Sequence, residues 1–306
     1  MSVVKRIATP VRTISGLSSM ERRRALWAYA FLTPNLIFIV LFSFVPMLIA
    51  FYLAFTKYSI LQPPEWIGIG NFEHILHDRT FITSVRNTLY FLGVITPVRL
   101  FLGLAIAILL DQPLRFRAFF RTVVFLPWIA SGVVVASIWT WLYNVDAGML
   151  NYILSQLGLP RSLWLTGQET AMPSIIIAAL WRSVGWVVVL YLAGLQSVPT
   201  EYYEAAQIDG AGTWQQFWYV TWPLLRPTTL LILVTTMIGS FQMFDLVYVM
   251  TSGGPLNATT VMAHQIYENA FTFLKMGYAS AQALVLFAVV ATLSIISFRW
   301  IRSDIA

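Results

Sequence analysis

The chain has 306 residues, of which 58% are hydrophobic and 10% charged, with a formal net charge of +6 and no cysteine. A soluble domain of this length carries about 25% charged residues, so the composition points to lipid as the solvent. The length fits one compact helical membrane domain and leaves no room for a separate soluble catalytic domain. Without cysteine there is neither a disulfide framework nor a thiolate metal site.

The first long apolar stretch begins after Arg22-Arg23-Arg24 and runs from Ala25 to about Phe55. It is too long for the core of a cleavable signal, and no small-residue cleavage site stands near its end. A helix needs about 20 apolar residues to span the bilayer core. Six segments qualify: Ala28 to Phe55 with Pro34 and Pro46, Thr88 to Leu110 with Arg99, Phe119 to Tyr143 with Arg121 at its start, Met172 to Leu195 with Arg182, Thr228 to Met250 with Asp245, and the uncharged Ala279 to Phe298. The predicted fold is therefore all-α and polytopic, with six transmembrane helices. A basic segment 1–24 precedes a transmembrane domain 25–300, and 301–306 form a tail. Gly103, Gly132, Gly185 and Gly239 are read as close helix contacts, and Pro34, Pro46, Pro97 and Pro127 as kinks or helix ends.

Three connecting loops are turn-rich and polar to aromatic: Ser59 to Phe81, Asn144 to Ala171, and Thr251 to Tyr278. A short re-entrant or interfacial helix is expected around Ala263 to Phe273. Of the three histidines, His74 and His77 are close enough to share a helix face, with Glu73 and Asp78 as neighbours. A solvated loop is preferred there over a metal site.

Lysine and arginine divide unequally between alternate loops. One side holds Lys5, Arg6, Arg12, Arg22, Arg23, Arg24, Arg115, Arg117, Arg121, Arg226, Arg299 and Arg302; the other holds Lys57, Arg79, Arg86, Arg161 and Lys275. Twelve against five puts both termini in the cytoplasm. The basic residues sit at helix ends, not in one aromatic-lined patch, which excludes nucleic acid as the partner.

The longest cytoplasmic connection runs from about Ser197 to Pro227. Pro199 stops the fourth span, and Thr200 is placed as the cap of a short helix whose first turn carries Glu201 and Glu204. Ala205-Ala206 leaves a small, smooth surface. Gly210 and Gly212 let the chain turn. Thr213 is placed as the cap of a second short helix, Trp214 to Thr221, ended by Pro223. Trp214, Phe217, Trp218 and Trp222 suit an interfacial segment. The first half is acidic where an inner leaflet prefers basic residues, so it reads as a docking surface for a protein.

Glu204-Ala205-Ala206, then Asp209-Gly210-Ala211, then Pro223 about a dozen residues past Gly210, resembles the cytoplasmic loop of bacterial ABC importer permeases. The fuller likeness is to the carbohydrate-uptake branch, the maltose-type and glycerol-phosphate-type permeases. It includes Tyr203, Trp214-Gln215-Gln216-Phe217, Pro223-Leu224-Leu225-Arg226-Pro227, Thr251-Ser252-Gly253-Gly254-Pro255 and Gly277-Tyr278-Ala279-Ser280-Ala281. Trp222 departs from the Leu usual before that proline. The likeness covers the six spans and is strongest from Leu180 to the end.

The resemblance implies the fold of a type I ABC importer permease in a bacterial cell membrane. It implies a second homologous permease (the branch favours a heterodimer), two ATPase subunits, an extracytoplasmic binding protein and a sugar or sugar-like solute. In such families the loop 197–227 is the coupling helix, which gives Glu204, Ala205, Ala206, Asp209, Gly210 and Ala211 the role of gripping the ATPase. No G-x-x-x-x-G-K-[ST] loop is present, so the chain is expected not to be an enzyme. It is expected to need no cofactor, with ATP bound by partner subunits.

Ionisable residues within spans mark pathways or buried pairs. Trp181, Arg182, Gln242, Asp245 and Tyr248 are the candidates for a polar cavity, since an aromatic face with amide and carboxylate groups suits a hydroxyl-rich solute. A structural pairing of Arg182 with Asp245, or with the partner permease, is the competing reading, and it is preferred for Arg182 and Arg99. An ion-coupled secondary transporter is the alternative function, with Asp245 as its one clear intramembrane carboxylate. A membrane-embedded enzyme is disfavoured by the lack of clustered His, Asp or Glu within the spans. Oligosaccharide, monosaccharide and glycerol phosphate stay open as solutes, as does a homodimeric pair.

Overall fold

The computed structural model describes residues 19–303; the stretch 1–18, with Lys5, Arg6 and Arg12, and the tail 304–306 lie outside the described residues. The chain divides into two compact units, one ending at Tyr52 and the next beginning at Leu53.

The first unit is helical. Helix α1 (Ser19–Ile39) passes through a five-residue π-helical segment, Val40–Phe44, into α2 (Val45–Leu53). Its large apolar side chains are exposed within the chain, Phe31 at 80% and Phe42 at 66%, as suits a helix solvated by lipid. Pro34 lies inside α1 without ending it. Pro46 is tolerated because the π segment precedes it: the Val45 amide reaches back to the Val40 carbonyl, which widens the turn that the proline ring would otherwise strike.

The second unit begins with an antiparallel hairpin, β1 (Thr56–Ser59) and β2 (Gln62–Trp66), pairing Thr56 with Trp66 and Lys57 with Glu65. The sequence reading placed no strands here. The buried Asn71 fixes the hairpin by donating to the carbonyls of Ala54 at 2.9 Å and Thr56 at 2.8 Å. Asn71 belongs to α3 (Gly70–His77), so His74 and His77 lie on a helix, not in a solvated loop. His74 packs on the Tyr278 ring at 4.9 Å. No cluster of three or more metal-ligating side chains occurs among the described residues.

Helix α4 (Arg79–Asp111) is capped by Asp78, whose carboxylate accepts from the amides of Thr80 and Phe81 and from the Tyr278 hydroxyl at 2.7 Å. Pro97 lies within α4 without breaking it. The third apolar stretch is not one straight span. It forms α5 (Arg117–Ile129) and α6 (Gly132–Leu142), bent by 98°. Pro127 stands in the last turn of α5, and Ala130 takes an extended conformation. Helix α7 (Met149–Gln156) precedes α8 (Ala171–Gln196), the most buried of the spanning helices. The short α9 (Thr200–Ile208) and α10 (Thr213–Gln216) follow.

The fifth apolar stretch also differs from the sequence reading. Pro223 does not end the second short helix. A π segment, Phe217–Thr221, carries the chain from α10 into α11 (Trp222–Phe241), with the Trp222 amide on the Phe217 carbonyl. Proline thus follows the π segment in the same register as at Pro46. Helix α11 stops at Gln242, and a separate α12 (Asp245–Met250) follows. Helix α13 (Met262–Tyr267) and a π segment, Glu268–Thr272, occupy the region expected to hold a short helix, and α14 (Met276–Ser303) is the final span. Among the described residues, five helices are long and apolar enough to cross a membrane, or six if the bent pair α5 and α6 counts as one.

The core around α8 has two layers. One joins Ile175, Ile176 and Ala179 to Phe91 of α4, Val135 of α6 and Val247 of α12. The other joins Val187, Tyr191 and Leu192 to Ala107 of α4 and Leu225 of α11. Small residues permit the close approach: a side chain at Gly103 would strike Val187, and one at Gly185 would strike the Val124 backbone. Gly239 does not make such a contact, since nothing lies within 4 Å of its missing Cβ.

Candidate functional site

Two features stand out, one at each end of α11. At its start is the loop from Pro199 to Thr221. Pro199, not Thr200, holds the N-cap position of α9, in extended geometry and with no side-chain cap; Thr200 already has helical geometry. Likewise Gly212, not Thr213, precedes α10, and its amide is met by the Gln215 side chain at 2.9 Å.

Helix α9 ends in a Schellman turn. The Ala211 amide reaches the Ala206 carbonyl at 2.8 Å and the Gly210 amide the Gln207 carbonyl at 3.0 Å, with Gly210 at φ +80°. Only glycine takes that conformation without strain. Glu204, Ala205, Asp209 and Gly210 are exposed, Ala206 and Ala211 half-buried. Ile208 is 87% exposed, a large apolar side chain with no support from its own chain. Two bonds brace the back of the loop: Tyr203 Oη to Thr221 Oγ1 at 3.0 Å, and Gln216 Nε2 to the Ala211 carbonyl at 2.9 Å. The exposed face is therefore mounted on the helix that continues into α11.

At the other end of α11 is a cavity of about 310 Å³. Its walls come from Phe91 and Arg99 of α4, Trp128 of α5, Ala179, Arg182, Ser183 and Trp186 of α8, Thr235, Thr236, Gly239 and Ser240 of α11, and Gln242, Met243, Asp245 and Leu246 at the break and on α12. Arg182 Nη1 donates to Asp245 Oδ2 at 3.0 Å, joining α8 to α12. Gly132 lies against this pair, and a side chain there would overlap the Asp245 carboxylate. Trp128 and Trp186 stack at 5.5 Å with planes 19° apart. Ser183 and Ser240 donate their hydroxyl protons to the carbonyls of Ala179 and Thr236, one turn earlier. Their oxygen lone pairs are left as acceptors.

The structure brings Arg182, Gln242 and Asp245 together and leaves Trp181 and Tyr248 outside. Successive residues on a helix point about 100° apart, so Trp181 faces away from Arg182 and meets Trp139 edge-on at 5.9 Å. Tyr248 stacks on Phe244 at 5.1 Å and meets Tyr267 at 5.2 Å, in an aromatic group beside His264. The sequence reading missed Trp186, Ser183, Ser240 and Trp128 and took Arg99 as structural. Trp186 was within reach, since it stands four residues from Arg182 on the same helix face.

The chain matches the model of the family described as binding-protein-dependent transport system inner membrane component over residues 99–306. It is 39% identical over 259 residues to a probable ABC transporter permease protein of Pyrococcus horikoshii, a match covering 84% of this chain and 89% of that protein. It is 32% identical over 283 residues to the trehalose/maltose transport system permease protein MalF of Thermococcus litoralis, covering 92% and 96%. Its fold matches a chain of the crystal structure of a bacterial alginate ABC transporter in complex with an alginate pentasaccharide-bound periplasmic protein, at TM-score 0.81 and 26% identity, covering 91% of this chain and 94% of that one. With most of its length matched in both sequence and architecture, the chain belongs to the binding-protein-dependent transport system inner membrane components, the permease subunits of ABC importers.

Proposed function

We propose that this permease forms half of the pathway of an ATP-driven importer for a sugar-like solute, and that α9 is the handle by which two cytoplasmic ATPase subunits move it. The observation that carries the reading is the exposed, glycine-terminated α9 braced by Tyr203 onto the helix that leads to the cavity. In this reading a second homologous permease completes the pathway and an external binding protein delivers the solute. The sugar class is supported by the relatives named for trehalose/maltose and alginate, and by a cavity combining stacked tryptophans with hydroxyl acceptors. The distribution of basic residues supports cytoplasmic termini.

The mechanism follows from the continuity of α10, the π segment and α11. ATP closes the ATPase pair and displaces α9 as a rigid body. Thr213–Phe241 forms one helix of 29 residues, about 44 Å long. The displacement therefore reaches Thr235, Thr236 and Ser240, which line the cavity. The break at Gln242 lets the wall tilt without dragging α12 along, so the cavity opens to alternate sides.

The test is a cysteine at Ala205 in the assembled importer, with Glu204→Lys alongside. Membrane-impermeant reagents should label Ala205→Cys only from the cytoplasmic face, and Glu204→Lys should abolish solute-stimulated ATPase activity while membrane insertion persists. Labelling from outside, or uptake that continues without any ATPase subunit, overturns the reading.

A further inference from the structure

We infer that the solute of this cavity carries an anionic group, a carboxylate, phosphate or sulfonate on a sugar or polyol, and that Arg99 receives it. The inference rests on the cavity being the solute pathway, as proposed above.

The argument is a charge balance. Two guanidinium groups and one carboxylate face the cavity: Arg99, Arg182 and Asp245. Arg182 and Asp245 neutralise one another at 3.0 Å, leaving the cavity with one positive charge, on Arg99. Among the described residues the Arg99 side chain forms no ion pair and no hydrogen bond, and its Nε is buried without a partner. A guanidinium within a span is expensive unless something compensates it. Pro97 leaves the Gly93 carbonyl of α4 without its helical donor, yet the Arg99 side chain forms no hydrogen bond to it or to any other backbone carbonyl among the described residues. Arg182 Nε, on the same cavity, is also unpartnered. Two guanidinium groups thus line a space large enough for a small solute, and the Nε of each lacks an acceptor among the described residues.

The other walls restrict what the anion is attached to. Trp128 and Trp186 offer a stacked aromatic surface suited to a ring. The acceptor lone pairs of Ser183 and Ser240 suit hydroxyl protons. A hydroxylated body with one acidic group meets all three requirements, whereas a neutral sugar leaves Arg99 desolvated and unpaired.

The experiment uses the assembled importer in membrane vesicles. It is offered a mixture of neutral oligosaccharides from starch and xylan, acidic oligosaccharides from pectin and alginate, and sn-glycerol 3-phosphate, and the imported species are identified by mass spectrometry. Acidic species should dominate, and the pectin and alginate arm against the phosphate arm separates carboxylate from phosphate. Arg99→Gln should lower the ratio of acidic to neutral uptake by about tenfold or more, and Arg99→Lys should recover most of it. Because the readout is a ratio, a folding defect that lowers both uptakes equally does not mimic the result. Neutral species dominating uptake by the parent protein, or a ratio unchanged in Arg99→Gln, overturns the inference. Gly239→Trp, which fills the cavity from a position with no close neighbour, separates the two readings. If it blocks uptake while Arg99→Gln leaves the ratio unchanged, the pathway stands and the anion falls. If Gly239→Trp transports normally, the pathway reading falls and the inference with it.

Discussion

Arg182 and Asp245 stand 63 residues apart in the chain and meet at 3.0 Å, holding α12 against the middle of α8. The pair closes one side of the cavity that it also lines. Removing one partner leaves an uncompensated charge. Because Arg182 and Asp245 keep 27% and 35% side-chain exposure, the cost falls below that of a fully buried pair. Asp245→Asn and Arg182→Gln should each lower stability by about 1–3 kcal/mol, read as thermal unfolding in detergent. The exchange Arg182→Asp with Asp245→Arg should recover part of the loss. Double-mutant behaviour that is simply additive would count against the pairing.

Gly132 tests the same contact without changing any charge. Gly132→Ala places a methyl group where the Asp245 carboxylate sits, so it should destabilise by about 1–3 kcal/mol. Gly239→Ala points into open space and should be neutral or stabilising by about 0.5–1 kcal/mol, because alanine favours the helix. Equal unfolding temperatures for the two variants would contradict this placement of Gly132.

The α9 loop should depend on Gly210 and Tyr203 in different ways. Gly210→Val forces a branched residue to φ +80°, costing about 1–2 kcal/mol locally and disturbing the Schellman turn. Tyr203→Phe removes the bond to Thr221 at a cost of about 0.5–1.5 kcal/mol and loosens α9 from the helix behind it. In the assembled importer, Gly210→Val should abolish uptake. Tyr203→Phe should lower the solute moved per ATP hydrolysed while hydrolysis continues. Unchanged stoichiometry would remove the role given to Tyr203.

His264 lies on α13, outside the long spanning helices, and is 1% exposed. Burial pushes its imidazole below the ordinary value, and Glu268, with Oε2 3.7 Å from Nδ1, partly opposes that shift. The unfolded chain therefore takes up the proton first on acidification. Stability held above the ordinary histidine value of about 6.5 should decline as pH falls below it. Unfolding temperatures at pH 7.5 and 5.5 should differ more for the parent protein than for His264→Gln. The same slope in both would show that His264 is not the group responsible.

The spanning segments were legible because hydrophobic length is a property of contiguous residues. Met172 to Leu195 and Ala279 to Phe298 read as spans for that reason, and the loop Glu204 to Ala211 was legible because its acids, alanines and glycines follow one another. Pro127 likewise marks the bend that follows it at Ala130, whereas the break at Gln242 was not legible. That break falls inside the stretch Thr228 to Met250, where no proline marks it. The π segments before Pro46 and Pro223 are a similar case. Proline marks a cost in sequence, but the widened turn that absorbs it depends on the carbonyls one turn back.

The amino-acid order alone determined that the chain crosses a membrane several times and carries an exposed acidic, alanine-bearing loop, because lipid solvation and helix capping act over a few neighbouring residues. Only the tertiary structure decided which intramembrane groups meet. It set Arg182 on Asp245, turned Trp181 and Tyr248 away, and brought Arg99 to the cavity with no partner among the described residues. Those outcomes depend on the rotation of each helix about its axis, which is fixed by the packing of α8 against its neighbours.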